Sequence, residues 1–316
     1  MMQIAILDDY FNRAESFADW DSSDALTFTF FDSHIPSTDE LIEILLPFDA
    51  IGVMRERTPF PREIIQALPN LKLIVTSGKQ NAAIDLDAAR DRGVIVCGTS
   101  SPGHATAEHA FMLIMMLCRK AMPLINGLKI DNVWQPVMGR DLRGKTLGIV
   151  GLGRLGSQVA TLGLAIGMNV LAWSSNLDAE KAVAMGVKAV SKSELFLRSD
   201  LVSVHYKLSD RSRGLIGEDE LSLLGSDGYI VNTSRAEIID QEALLRCLDA
   251  GALGGLATDV FPLEPANNSD SLVAHPRVLA TPHVGYCTEE TFTVFYQEML
   301  ATFESFREGS PINVIS

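Results

Sequence analysis

The chain opens on a short apolar run, Ile4 to Leu7, that stops at Asp8 and Asp9, and similar runs return at Ala50 to Met54, Leu71 to Thr76 and Val94 to Cys97. Continuous apolar runs this short predict strands covered on both faces. Between them, stretches such as Pro61 to Leu68 and Leu86 to Arg92 mix polar and apolar positions at helical spacing. Strand alternating with helix predicts a parallel sheet, because parallel neighbours need a crossover long enough to hold a helix. Pro102 and Gly103 interrupt the alternation, and a helix rich in Ala, Met and Leu is predicted from about Ala105 to Cys118, with a hinge near Ser100. The pattern then resumes at Asn169 to Trp173, Leu201 to His205, Tyr229 to Asn232, Leu256 to Asp259 and Val278 to Thr281, predicting a second doubly wound sheet. From about Glu289 to Phe306 the chain is amphipathic, with Phe292, Phe295, Met299 and Phe303 at helical spacing. That stripe faces a core, either closing the second domain or returning to cap the first.

One stretch carries chemical information of its own. In TLGIVGLGRLGSQVA, from Thr146 to Ala160, the glycines Gly151, Gly153 and Gly156 stand where an apolar strand turns into a helix. This is the dinucleotide-binding spacing: one glycine for the tight turn, one for backbone approach to a pyrophosphate, one for close packing of helix on strand. The motif sits near the middle of the chain, so another domain precedes it. The strand at Ile4 to Leu7 is followed by Asp8, Asp9 and Tyr10 instead of glycines, which makes the first domain α/β without a nucleotide fingerprint.

Composition narrows the partners. The 316 residues carry a formal net charge of −14, which opposes affinity for nucleic acid or anionic membranes, both of which need clustered Lys and Arg. The longest apolar run, Ala110 to Cys118, is too short to span a bilayer, and the start MMQIAILDDY lacks a signal-peptide pattern, so the mature chain is expected to begin there. Cys97, Cys118, Cys247 and Cys287 form no CxxC pair and no zinc-like grouping with the six histidines, so no metal is expected, and reduced cysteines suit the cytoplasm.

Three polar residues follow successive strands of the second sheet: Arg235 in VNTSRAEIID, Glu264 in DVFPLEP and His283 in TPHVG. Singly, each is an ordinary loop or surface residue. Their shared placement at strand carboxyl ends, where such folds bind ligands, groups them. A histidine, a carboxylate and an arginine suffice to reduce a carbonyl: His283 gives the proton, Glu264 pairs with it, and Arg235 holds the carbonyl and carboxylate of an anionic substrate.

In combination, HATAEHAF from His104, GKTLGIVGLGRLG from Gly144, VNTSRAEIIDQEAL from Val231, LATDVFPLEP from Leu256 and TPHVGYCTEE from Thr281 make nearly the whole chain resemble the D-isomer-specific 2-hydroxyacid dehydrogenase family, which includes phosphoglycerate dehydrogenases and glyoxylate/hydroxypyruvate reductases. The resemblance implies two doubly wound parallel-sheet domains. Residues 1–99 with 287–316 would form a flavodoxin-like substrate-binding domain, and residues 100–286 a Rossmann NAD(P)-binding domain. It assigns Arg235, Glu264 and His283 as the catalytic set. It also implies that Ser77 and Gly78 offer backbone N–H groups to the substrate carboxylate, and that Asp259 hydrogen-bonds the nicotinamide carboxamide. Arg154, Leu155, His205, Thr233 and Gly285 join Gly151, Gly153 and Gly156 in holding the cofactor. A homodimer is implied; Trp134 and Tyr286 are candidates for shaping the pocket, with Trp134 reaching a neighbouring subunit. Arg55, Arg57 and Lys79 are candidates for a second anionic group on the substrate.

The departures concern the ribose first. The second strand of the fingerprint unit ends in Ser174 where an acid would bind the ribose 2′-OH of NAD, while Ser174, Ser175 and Asn176 offer hydrogen bonds to a phosphate and no Arg stands in the turn. NAD and NADP both stay open. Lys207 replaces a usual proline and Ala236 a usual glycine, which affects loop geometry. The ending at Ser316 leaves no room for the regulatory domain of some phosphoglycerate dehydrogenases, so feedback through such a domain is not expected. A cofactor-sensing, corepressor-like binding protein shares the fold and the same residues and stands as the alternative. Formate and phosphite dehydrogenases share the plan too, but Glu264 argues against formate.

Overall fold

Two parallel sheets, of five and seven strands, organise the chain in a computed structural model that describes residues 1–316. The first arises from β1 (Met2–Ile6), β2 (Leu26–Phe30), α1 (Thr38–Leu45), β3 (Ala50–Val53), α2 (Arg62–Ala67), β4 (Leu73–Thr76), α3 (Leu86–Asp91) and β5 (Ile95–Gly98). Its order, β2-β1-β3-β4-β5, is the flavodoxin-like one. Every residue of β3 and β4 is buried, because helices cover both faces, and that is why these strands read as unbroken apolar runs. β2 lies at the edge and alternates Leu26-Thr27-Phe28-Thr29-Phe30, half covered, so it carries no such run and escapes a search for one. Asp85 stops the chain's extended course and starts α3 by accepting the Ala88 N–H at 2.8 Å.

The second sheet follows α4 (Ala105–Cys118) and α5 (Ala121–Lys129). It is built by β6 (Thr146–Val150), α6 (Arg154–Ala165), β7 (Asn169–Trp173), α7 (Ala179–Ala184), β8 (Lys188–Ala189), α8 (Lys192–Arg198), β9 (Leu201–Val204), α9 (Glu218–Leu224), β10 (Tyr229–Asn232), α10 (Gln241–Asp249), β11 (Gly255–Thr258), α11 (Ser271–Ala274) and β12 (Val278–Ala280). The order β12-β11-β10-β9-β6-β7-β8 is the Rossmann order, and the winding reverses beside β6. Alternate residues of each strand serve opposite cores: Ile149 and Val231 join Leu113 and Ile114 of α4 on one face, while Val150 and Ile230 join Phe196, Leu221 and Leu244 on the other.

α12 (Glu289–Arg307) settles the choice left open by its amphipathic pattern, because it packs on the first sheet. Its buried stripe meets aromatic partners there: Tyr296 stacks on Phe17 with centroids 5.9 Å apart, and Phe303 meets Phe28 edge-on at 6.0 Å. The chain end follows, with Ile315 N–H donating to Val96 O at 2.7 Å. The two units are accordingly Met1–Pro102 with Cys287–Ser316, and Gly103–Tyr286. Ser100, shortly before the first crossover at Pro102–Gly103, is held by Glu298 of α12, which accepts from its N–H and its hydroxyl, each at 2.5 Å.

Candidate active site

At the switch point of the second sheet the glycine loop has a specific reason at each position. Gly151 adopts φ +98°, and a Cβ there would lie 2.8 Å from the carbonyl oxygen of His205, which follows β9. Gly156 lets α6 press onto the loop: its Cβ would fall 2.1 Å from Gly151 O. Gly153, which caps α6, faces open space with no atom within 4 Å of a built Cβ. The first N–H groups of α6 therefore open onto an uncrowded cradle that favours an anion. Thr233, just past β10, keeps a buried hydroxyl with no partner. An open donor-lined cradle and an orphaned hydroxyl fit a dinucleotide, with Gly153, Leu155 and Thr233 as the residues that would hold it. The Arg154 guanidinium lies back against Gly103, whose Cβ would sit 2.5 Å from its Cζ, so this residue offers the cradle its backbone.

At the end of β7, Ser174 Oγ accepts the Leu152 N–H at 3.1 Å and so belongs to the glycine loop itself. Ser175 contacts the Tyr206 hydroxyl, and the Tyr206 ring stacks on Trp173 at 5.9 Å. Neither an acid nor a base stands among residues 174–177. His205 meets Ser203 Oγ at 2.8 Å, and burial pushes its imidazole down to about 4, so it is neutral at neutral pH.

Arg235, Glu264 and His283 follow β10, β11 and β12, which are neighbours in the sheet. Glu264 is fixed at one oxygen by the Phe261 N–H, at 2.9 Å, and its other oxygen meets His283 Nδ1 at 2.6 Å. A carboxylate only accepts, so Nδ1 carries the proton and Nε2 is left as the working nitrogen. The two side chains are 24% and 35% exposed for His283 and Glu264, so the pair is held but reachable. Tyr286 stands edge-on to the imidazole at 5.9 Å. Arg235 donates from Nη1 to Ser234 O at 2.8 Å, and its own carbonyl accepts from Asn232 Nδ2 at 2.9 Å, which fixes the loop after β10.

Residues 111–285 match the family model described as D-isomer specific 2-hydroxyacid dehydrogenase, NAD binding domain. The chain belongs to this dehydrogenase family. A D-3-phosphoglycerate dehydrogenase of Archaeoglobus fulgidus is 36% identical over 259 residues, 80% of this chain and 48% of that protein. A glyoxylate reductase of Aeropyrum pernix is 33% identical over 266 residues, 80% of this chain and 79% of its own length. Among solved structures, a phosphoglycerate oxidoreductase from Vibrio cholerae superposes with a TM-score of 0.94 at 34% identity, covering 98% of this chain and 100% of that one. The chain spans about half the length of the phosphoglycerate dehydrogenases it matches.

Several residues that the motifs single out also have partners within the protein. Ser77 is fully buried and donates its N–H to Val53 O at 3.0 Å, while the Gly78 N–H donates to Thr99 Oγ1 at 2.8 Å. Both amides are engaged by the sheet and its neighbour loop, so neither is left for a substrate carboxylate. Arg57 donates to Asp8 O at 2.7 Å and lies 4.4 Å over the Tyr10 ring, and the Arg55 guanidinium lies against Gly78. Asp259, 1% exposed, accepts from Thr281 Oγ1 at 2.6 Å, Val284 N–H at 2.9 Å and Gly285 N–H at 2.8 Å. Burial would raise its pKa, but hydrogen bonds from His109, Thr281 and Val284 outweigh that and hold the carboxylate below the ordinary range. Asp259 and Gly285 thus brace the His283 loop through hydrogen bonds to both aspartate oxygens. His109, on α4, lies within the HATAEHAF motif but takes no role from it, because its partners Thr281 and Asp259 stand far along the chain and meet it only in the folded sheet.

Proposed function

We propose that this chain catalyses reversible hydride transfer between NAD(H) and carbon 2 of a small 2-oxo acid, yielding or consuming a D-2-hydroxy acid. The observation that supports it most is the 2.6 Å contact of His283 Nδ1 with Glu264 in the same unit as the open glycine cradle. When bound, the nicotinamide ring gives up or accepts the hydride. His283 Nε2 protonates the developing alkoxide during reduction and, neutral, takes the hydroxyl proton during oxidation. Glu264 keeps the imidazole oriented and stabilises its positive form. Arg235 pairs with the substrate carboxylate and polarises the carbonyl. NAD(H) is favoured over NADP(H) because residues 174–177 contain no cation to neutralise a 2′-phosphate.

The test follows NADH and NADPH oxidation at matched concentrations with glyoxylate, hydroxypyruvate, pyruvate and longer 2-oxo acids. Turnover that falls about 100- to 10,000-fold in His283→Ala, with NADH affinity kept, is the expected result. Cofactor binding without turnover on any of these acids overturns the reading and moves the cofactor-sensing alternative ahead. Near-normal turnover in His283→Ala overturns the assignment of the acid/base.

A further inference from the structure

The loop that carries His283 is braced from one point. Thr281, two residues before it, and Val284 and Gly285, just after it, all donate to the Asp259 carboxylate, and His283 itself sits at φ +52°, a region that non-glycine residues rarely occupy unaided. Behind this brace lies His109 of α4, whose Nε2 is 3.0 Å from Thr281 Oγ1 and 3.3 Å from Asp259 Oδ1, with the side chain 13% exposed. The protons can be assigned. The Thr281 hydroxyl gives its single proton to Asp259, which is held ionised, so both oxygens facing Nε2 are acceptors. Nε2 must therefore be the protonated nitrogen of His109, donating into the pair.

We propose that His109 is a positioning residue for His283, acting through the Asp259–Thr281 pair. Resting on the acid/base reading above, this assigns α4 a second task besides its apolar packing: it supplies the one donor to the brace that comes from outside the loop. Losing that donor loosens the pair on which both flanks of His283 depend. The alignment of Nε2 with the reacting oxygen then suffers, while the glycine cradle, built from different loops, is unaffected. Misalignment of a reacting group by about 1 Å costs on the order of 100-fold in rate.

The experiment compares His109→Leu, His109→Gln and His109→Asn with wild type on the 2-oxo acid turned over fastest, with His283→Ala alongside. Gln places an amide nitrogen where Nε2 stands; Asn does not reach it. We expect kcat to fall about 100-fold in His109→Leu, with KM for both substrates and the NADH dissociation constant within about 3-fold. Gln should recover most of the loss, and the isotope effect from deuterated NADH should change. Should the Leu variant fail to fold, Gln against Asn decides the same question. Wild-type kcat in His109→Leu, or a loss that Gln and Asn share equally, overturns the proposal. Turnover retained in His283→Ala instead overturns the acid/base reading on which it stands.

Discussion

His283, Glu264 and Arg235 were legible one by one in the sequence because each directly follows an apolar strand, and a parallel sheet sends such residues to a common edge. Ser77, Gly78 and Asp259 were legible as positions, but their partners inside the fold were not. Whether an amide or carboxylate is free depends on partners such as Val53, Thr99 and Thr281, which lie 21–24 residues away along the chain and whose bonds no local pattern reveals. At this scale the ribose site makes one prediction. Ser174→Asp adds a negative charge beside the glycine loop, and the ratio of kcat/KM for NADH over NADPH should rise at least tenfold, about 1.4 kcal/mol; an unchanged ratio would mean that position 174 does not face the ribose. His205 makes another. Its imidazole titrates at about 4 in the folded protein, against about 6.5 when unfolded, so between those values the unfolded chain binds more protons. Stability is therefore full above about pH 6.5 and declines as pH falls toward 4, by up to about 3 kcal/mol. Denaturant unfolding across that range should show the decline, and His205→Gln should flatten it.

Among elements, the strands and helices with continuous apolar runs or clean helical spacing were readable, and Asn169–Trp173, Tyr229–Asn232 and Ala105–Cys118 fall where the pattern puts them. β2 and β8 were not, since an edge position leaves them half covered or very short. The α6 loop is the element whose tolerance is lowest. Gly156→Ala would force a methyl group into the Gly151 carbonyl, 2.1 Å away, against backbone that cannot rotate aside. A loss of about 1–3 kcal/mol in stability is expected together with weakened NADH binding, measurable by thermal unfolding and fluorescence titration. A variant with wild-type melting and affinity would show that α6 can withdraw from the strand.

For the whole molecule, no single helix is long and apolar enough to cross a membrane. A different apolar feature calls for a partner: Ile125, Leu128, Ile130, Trp134 and Met138 are all exposed, Trp134 by 76% and Met138 by 92%. We propose that these side chains pack against a second copy of this chain, because exposed apolar side chains in such number favour burial in an interface. Light scattering should give twice the 34.4 kDa chain mass for the wild type and the single-chain mass for a Trp134→Glu, Met138→Glu double variant. A monomeric wild type at tens of micromolar would refute it.

What the sequence determined by itself was the alternation of strand and helix, the glycine turn and the three residues at strand ends, all features written in short spacings that local sterics and burial enforce. Tertiary structure alone decided that the aromatic stripe of α12 packs on the first sheet, where Phe17, Trp20 and Phe28 offer matching rings. It alone also decided which amides and carboxylates are already engaged, and that a histidine in an apolar helix stands behind the His283 loop. Each of these depends on groups far apart along the chain, and only folding sets the distances between them.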